Sequence, residues 1–277
     1  MPTEPDWPTF ARFACHLADQ AAKVILPQFR KPIAIEDKQG MADFDPVTAA
    51  DRDGEAVMRR LIAEHFPDHG IEGEEFGTER GEAELVWVLD PIDGTRGFIA
   101  GLPSWTTLVA LRYRGTPVIG LIAQPYLKEQ FLGTPQGSYL GTRRLQVRAC
   151  ADLSQAVGSS TGTSWFSDHQ KARFAGFETA ARMVRMGFDA YAYAMLAMGF
   201  IDVVAEAGLK PHDIAALIPV VERAGGGLSD WSGGTDFRAG EVLASGDARV
   251  HAQAIEALAG GRVDDAYQSA RSSAPGR

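Results

Sequence analysis

The densest run of chemistry-bearing residues is Trp87-Val88-Leu89-Asp90-Pro91-Ile92-Asp93-Gly94-Thr95. An apolar run of strand length, 85–89, leads straight into an acid, a proline, a second acid and a Gly-Thr turn. Pro91 biases Asp90 toward extended backbone, so its carboxylate can project from the strand end. Asp93 follows three residues on, across a turn. Two carboxylates this close repel each other unless a cation lies between them. Hard divalent cations such as Mg2+ take carboxylate, carbonyl and water oxygens. Gly94 lets the backbone approach a ligand, and the N–H groups that follow can cradle a phosphate. An isolated Asp-x-x-Asp is more often a capped turn. The strand, the proline and the Gly-Thr in one string turn the reading toward metal and phosphate.

Four other acidic positions need weighing. Glu74 and Glu75 sit in a glycine-flanked turn, Glu72-Gly73-Glu74-Glu75-Phe76-Gly77, where a solvated charge run is the ordinary reading. Asp51, at a helix start, is ordinarily a capping or dipole residue. Asp213 follows Lys210-Pro211-His212 and opens an apolar helix, so N-capping is its ordinary role. A functional reading requires these acids together. His16, His65 and His169 have no second His or Cys at ligand spacing, which makes them core or surface residues. His212 touches the site by adjacency to Asp213 and is expected on the pocket wall. Tyr191 and Tyr193 alternate as in a strand or loop and are expected to pack.

These residues need elements to position them. Apolar positions at Phe10, Phe13, Ala14, Leu17, Ala21 and Val24 recur at helical spacing and predict a first helix from about residue 8, ended by Pro27. A second helix is predicted over 48–65, with Thr48 as N-cap and Asp51 three residues on. Strands are predicted over 85–89, 106–113, 118–123 and 129–132, punctuated by Gly and Pro. The second half alternates helical and strand-like segments: helix 171–183, strand 201–205 and helix 214–223. Pro219 inside the last suggests a kink or an early break. The tail from 264 is polar and small and is expected to be disordered.

With 277 residues, 45% hydrophobic and 23% charged, the chain is globular rather than disordered. Its length permits one large domain or two fused halves. No apolar run approaches the roughly 18 residues of a membrane span, and the start lacks a basic cluster followed by an apolar stretch, so a cytoplasmic location is expected. Cys15 and Cys150 are too few for a disulfide framework and read as small buried thiols of a reducing compartment. The formal net charge of -9 disfavours nonspecific binding to nucleic acid or anionic lipid. An anionic substrate is still permitted, because a bound metal ion reverses the local field.

Taken together, the motifs resemble the inositol monophosphatase superfamily of Mg2+-dependent phosphatases. Gly73-Glu74-Glu75, Asp90-Pro91-Ile92-Asp93-Gly94-Thr95, and Asp213 with its apolar helix and Ala224-Gly225-Gly226 carry the match, with Asp45-Pro46-Val47-Thr48-Ala49-Ala50-Asp51 as a fourth motif. The resemblance spans residues 8–260. It implies a layered αβαβα sandwich of the sugar-phosphatase type, with an N-terminal α+β half over 1–146 and a C-terminal α/β half over 147–263, usually as a homodimer. It also implies two or three Mg2+ ions. Glu74, Asp90 and the carbonyl of Ile92 would hold one, and Asp90, Asp93 and Asp213 a second. Thr95, bonded to Asp51, and Glu74 would orient and deprotonate the attacking water. The N–H groups of Gly94 and Thr95 would hold the phosphate.

Within the superfamily, Asp93-Gly94-Thr95-Arg96-Gly97-Phe98 and Leu209-Lys210-Pro211-His212-Asp213 are most similar to the histidinol-phosphatases. Gly187-Phe188-Asp189 aligns with the substrate loop, and Glu206 with the hydroxyl-binding acid. A carboxylate at Asp189 would favour a cationic alcohol over a neutral polyol. The expectation is a phosphomonoesterase acting on histidinol phosphate. The competing readings are an inositol or other polyol phosphatase, a nucleotide 3'-phosphatase, a glycosidase using two acids and a non-catalytic metal-binding member of the fold.

Overall fold

A computed structural model describes residues 5–32, 36–37 and 46–260. The expected disorder of 264–277 concerns residues outside this set, as does Asp45 of the fourth motif. The first half runs α1 (Trp7–Ile25), β1 (Glu36–Asp37), β2 (Pro46–Val47), α2 (Ala49–His65), β3 (Gly70–Gly73), β4 (Gly77–Glu79), β5 (Leu85–Asp93), α3 (Thr95–Ile99), β6 (Thr106–Tyr113), β7 (Thr116–Gln124), β8 (Glu129–Thr134), β9 (Gly137–Leu140) and β10 (Arg143–Arg144). The second half runs β11 (Val157–Ser160), α4 (Asp168–Ala180), β12 (Met183–Met186), α5 (Asp189–Ala197), β13 (Val203–Glu206), α6 (Pro211–Glu222), β14 (Gly227–Ser229), β15 (Val242–Ser245) and α7 (Ala248–Ala259).

Five layers result. An eight-stranded sheet has the order β10-β9-β8-β7-β6-β5-β3-β4, and a five-stranded sheet the order β12-β11-β13-β15-β14. Helices α1 and α2 cover the outer face of the large sheet, α5 and α6 lie between the sheets, and α4 and α7 cover the outer face of the small one. Three apolar cores fill the four helix–sheet seams, the second serving both sides of the α5–α6 layer, so the layers follow from where apolar stripes find cover. This is the expected αβαβα sandwich.

The predicted helices and strands of the first half are present, with one informative extension. β5 does not stop at Leu89 but runs to Asp93, with a bulge between Asp90 and Asp93 where its register to β6 shifts. A bulge tolerates Pro91, which has no N–H for a ladder. The Thr107 hydroxyl satisfies the Pro91 carbonyl at 2.8 Å. Asp90 and Asp93 are therefore presented by a bulged strand rather than across a turn beyond its end.

The second half departs further. The helix predicted over 171–183 occupies Asp168–Ala180, and Met183 instead begins an edge strand. The strand predicted over 201–205 is Val203–Glu206. Tyr191 and Tyr193 lie on helix α5, not on a strand or loop. Pro219 neither breaks nor ends α6, which runs from Pro211 to Glu222. That helix is apolar on nearly all sides because it is sandwiched between two sheets, and this packing offsets the lost hydrogen bond. β7 and β8 present glycines where α6 comes closest: a Cβ on Gly120 would lie 2.2 Å from the Ala216 carbonyl oxygen. Gly120→Ala is expected to lower stability by about 3 kcal/mol, read as the shift of a urea unfolding midpoint; an unchanged midpoint would contradict this packing. Cys15 and Cys150 are free thiols, but half-buried rather than buried as expected.

Candidate metal and phosphate site

The acids named by the motifs come from five elements and meet at one end of the seam between the sheets. β5 supplies Asp90 and Asp93, the β3–β4 hairpin Glu74, α2 Asp51, β13 Glu206 and α6 Asp213. Among the described residues, carboxylate oxygens of Asp90, Asp93 and Asp213 lie within 4.8 Å of one another. Each of the three is turned by a main-chain N–H on one oxygen: Ile92 N–H donates to Asp90 at 3.0 Å, Ala190 N–H to Asp93 at 2.6 Å and Lys210 N–H to Asp213 at 2.7 Å. The Thr106 hydroxyl also donates to Asp93, at 3.3 Å. Asp213 stands not at the N-cap of α6 but one turn inside it, reaching back to Lys210.

Electrostatics shows what this cluster suits. Burial, then the charges of Glu74, Asp93, Asp213 and Asp51, hold the carboxyl of Asp90 well above the usual carboxylate range. Burial and Asp213 do the same to Asp93, against the Ala190 hydrogen bond. Burial pushes Asp213 up to about 7, with Glu74 and Glu206 adding to it and the Lys210 N–H and charge opposing. Three crowded oxygen donors, each costly to ionise alone, fit a hard divalent cation, which removes the repulsion.

Glu74 is not in the trio. It lines the same cavity, of about 560 Å3, together with Ile92, Gly94 and Thr95. Its N–H donates to the Leu89 carbonyl at 3.2 Å. Asp51 is almost fully buried and closes a capping box: the N–H and hydroxyl of Thr48 donate to Oδ2 at 2.8 and 2.6 Å. Its other oxygen receives the Thr95 hydroxyl at 3.4 Å, and the same hydroxyl lies 3.0 Å from the Ile92 carbonyl. Gly94, at φ 83°, caps the short helix α3 in the left-handed region that glycine tolerates. A Cβ there would meet the Asp189 carboxyl at 2.8 Å.

Asp189 and Glu206 line the same cavity. Asp189 opens α5 at φ 46°, a conformation few side-chain-bearing residues adopt and one that recurs at functional sites. Gly187 lines the cavity beside it. Burial, then Asp93 and Glu206, raise the Asp189 carboxyl well above the ordinary range, and Arg96 opposes them. Glu206 is almost fully buried and rigidly held. It accepts the Thr161 N–H at 2.7 Å, the Thr161 hydroxyl, and the Tyr193 hydroxyl at 3.1 Å. Trp165 and Arg96 stand at the mouth, the guanidinium 4.8 Å from the indole centroid.

Two expectations need correcting. His212 is not among the residues that line the cavity; its Nε2 lies 3.5 Å from Oδ1 of Asp213. The tyrosines do more than pack. Two residues apart on a helix, they point in nearly opposite directions, so Tyr191 bonds Glu129 of the large sheet at 2.7 Å while Tyr193 bonds Glu206 of the small one. His16, His65 and His169 are exposed surface residues. Thr161, Tyr193 and the Ala190 N–H were not legible as site residues, because their partners lie 45, 13 and 97 residues away. Glu55 carried a signal: it follows Asp51 by four residues, on the same helix face.

The model of the Inositol monophosphatase family matches residues 6–262. The chain is 42% identical over 264 residues to the bifunctional phosphatase IMPL2, chloroplastic, of Arabidopsis thaliana, covering 90% of this chain and 75% of that protein. It is 33% identical to the histidinol-phosphatase of Chlorobaculum parvum, covering 91% and 98% of the two chains. A solved inositol monophosphatase from Zymomonas mobilis superposes with a TM-score of 0.83 at 38% identity, covering 92% of this chain and all of that one.

Proposed function

Because the chain belongs to the inositol monophosphatase family, a family of phosphatases, we propose that it hydrolyses histidinol phosphate to histidinol and phosphate with Mg2+. The observation that carries the substrate is the second acidic pair. Asp189 and Glu206 line the same cavity as the Asp90–Asp93–Asp213 trio, and the alcohol of a phosphate ester held at Gly94 and Thr95 would lie against them. Burial opposes the ionisation of both, and for Asp189 the charges of Asp93 and Glu206 add to it. A protonated amine relieves that cost; a neutral polyol does not. The histidinol-phosphatase relative supports the same reading.

Two Mg2+ ions, with a third near Glu74, are the expected complement: Asp90, Asp93 and Asp213 would hold one, and Glu74, Asp90 and the Ile92 carbonyl another. Bound there, Mg2+ supplies the positive charge that stabilises phosphoryl oxygens in the transition state. The protein supplies the rest. The N–H groups of Gly94 and Thr95 hold the phosphate, aided by the positive end of the turn. Asp51 fixes the Thr95 hydroxyl, which orients the attacking water. Glu74 takes that water's proton. On the same grounds of resemblance we propose a division near residue 146, a homodimer and a cytoplasmic location. The large sheet ends at Arg144 and the small one begins at Val157, which supports the division.

Phosphate release should be compared for histidinol phosphate and inositol 1-phosphate at matched concentrations, with Mg2+ or EDTA. Histidinol phosphate is expected to be strongly preferred and the activity to vanish in EDTA. Asp189→Asn is expected to raise the KM for histidinol phosphate about tenfold or more, the worth of one charge-assisted hydrogen bond, and to leave a neutral ester within threefold. Equal losses on both esters would sink the cation-recognition reading.

A further inference from the structure

We infer that Glu55 is a positioning residue: it fixes the hairpin that presents Glu74, so that one helix, α2, braces both Glu74 and Thr95. The inference rests on the proposed role of Glu74 in metal holding and water activation.

Glu55 is fully buried, an expensive place for a carboxylate unless each oxygen is satisfied. Both are, and the donors are specific. The Glu75 N–H donates to Oε2 at 2.7 Å and the Phe76 N–H to Oε1 at 3.2 Å. Arg59, one turn along α2, donates its Nε to Oε1 at 2.6 Å. The two main-chain donors are the residues directly after Glu74, in the three-residue loop joining β3 to β4. Across the loop, the Glu74 N–H donates to Leu89 of β5. The turn is thus pinned on one side by the strand that carries Asp90 and on the other by Glu55. Arg59 extends the clamp by donating to the Gly77 carbonyl and, at 2.9 Å, to Glu79.

Gly73 records how closely the carboxylate is pressed against the hairpin: a Cβ there would lie 1.9 Å from Oε1 of Glu55. The placement on α2 gives the clamp its meaning. Asp51 and Glu55 are four residues apart and project from successive turns of one helix face. Asp51 ends at the Thr95 hydroxyl and Glu55 at the Glu74 loop. One rigid helix therefore orients both groups between which the attacking water would sit. A buried ion pair serving only α2 and the sheet would have no need of the two N–H groups next to Glu74.

The test uses the full chain as Glu55→Gln, Glu55→Asp and Glu74→Gln, with Glu79→Gln as a control at the exposed partner of Arg59. Glutamine offers one accepting oxygen where three donors converge, and aspartate falls short by one methylene. Mg2+ is titrated calorimetrically into the metal-free proteins without substrate. Phosphate release from histidinol phosphate is then measured at saturating Mg2+, or from inositol 1-phosphate if the first ester is not turned over. Partners that orient metal ligands are worth about 10- to 100-fold in metal affinity or activity. Both Glu55 variants are expected to weaken Mg2+ binding about tenfold and to lower kcat about 10- to 100-fold. KM should stay within twofold, and Glu79→Gln should stay within twofold throughout.

Mg2+ affinity and kcat within twofold of the parent in folded Glu55→Asp would overturn the inference, and that variant decides if Glu55→Gln does not fold. Glu74→Gln separates the two levels. If it is impaired while Glu55→Asp is not, only the positioning role fails. If Glu74→Gln itself binds Mg2+ and turns over normally, the reading of Glu74 falls and the positioning role with it.

Discussion

Asp93→Asn is expected to lower kcat by at least about three orders of magnitude, while the metal-free protein unfolds at a higher temperature than its parent. Both effects come from one charge. Asp93 shares the crowded cluster with Asp90 and Asp213, and it accepts the Ala190 N–H at 2.6 Å. Asparagine keeps an oxygen for that N–H, so the start of α5 keeps its anchor. What disappears is the anionic donor that would help hold the positive charge against the phosphoryl group. A thousandfold loss corresponds to about 4 kcal/mol of transition-state stabilisation, within the reach of fixed charges in a site closed to water. Without metal, the same deletion relieves the repulsion that raises the carboxyls of Asp90 and Asp93. For a chain of this size, 1–2 kcal/mol of relief raises Tm by about 2–8 °C. Phosphate release at saturating Mg2+ and thermal unfolding in EDTA check the two halves separately. Full turnover would remove the cluster from catalysis. A lower Tm would mean that the anionic hydrogen bond to Ala190 outweighs the repulsion.

How legible these residues were in the sequence follows from the range over which each is organised. Asp90 to Thr95 is contiguous, so the strand, the acids and the glycine turn could be read as one object. The α1 stripe and the Thr48–Asp51 cap are equally local, and the structure has both. The layered sandwich followed from the resemblance of separated motifs rather than from periodicity. Periodicity failed where burial is two-sided. α6 contacts both sheets, so neither its face nor its tolerance of Pro219 is written locally. The alternation of Tyr191 and Tyr193 mimics a strand because a helix between two sheets also needs side chains on opposite faces. The short strands of the second half, such as Val157-Gly158-Ser159-Ser160, carry too few apolar residues to announce themselves. Donors to Glu206 and Asp93 were invisible for a different reason: they are main-chain N–H groups or hydroxyls brought in by the packing of distant elements. Glu55 stands between these cases, since its i+4 spacing from Asp51 was visible but the hairpin it holds was not.

The stability of the metal-free protein is expected to fall as pH rises from about 4 to about 7, and saturating Mg2+ is expected to abolish or reverse that trend. The sign follows from protons bound. Asp213 is raised from an ordinary 3.8 to about 7, first by burial, and Asp90, Asp93 and Asp189 are raised in the same direction. Between the ordinary and the raised values the unfolded chain is ionised while the folded one still holds its protons. The folded state therefore binds more protons in that window, and raising pH pulls them off at the expense of folding. For Asp213 alone the window spans about three pH units, on the order of 4 kcal/mol; strong coupling spreads such losses over the cluster as a whole. Mg2+ binds the ionised carboxylates, so its contribution grows over the same range and opposes the loss. Thermal unfolding from pH 4 to 8, in EDTA and in Mg2+, should give curves that diverge as pH rises. Parallel curves would mean that the cation binds elsewhere, and a metal-free curve that climbs with pH would mean that the hydrogen bonds to these acids outweigh their burial and mutual repulsion.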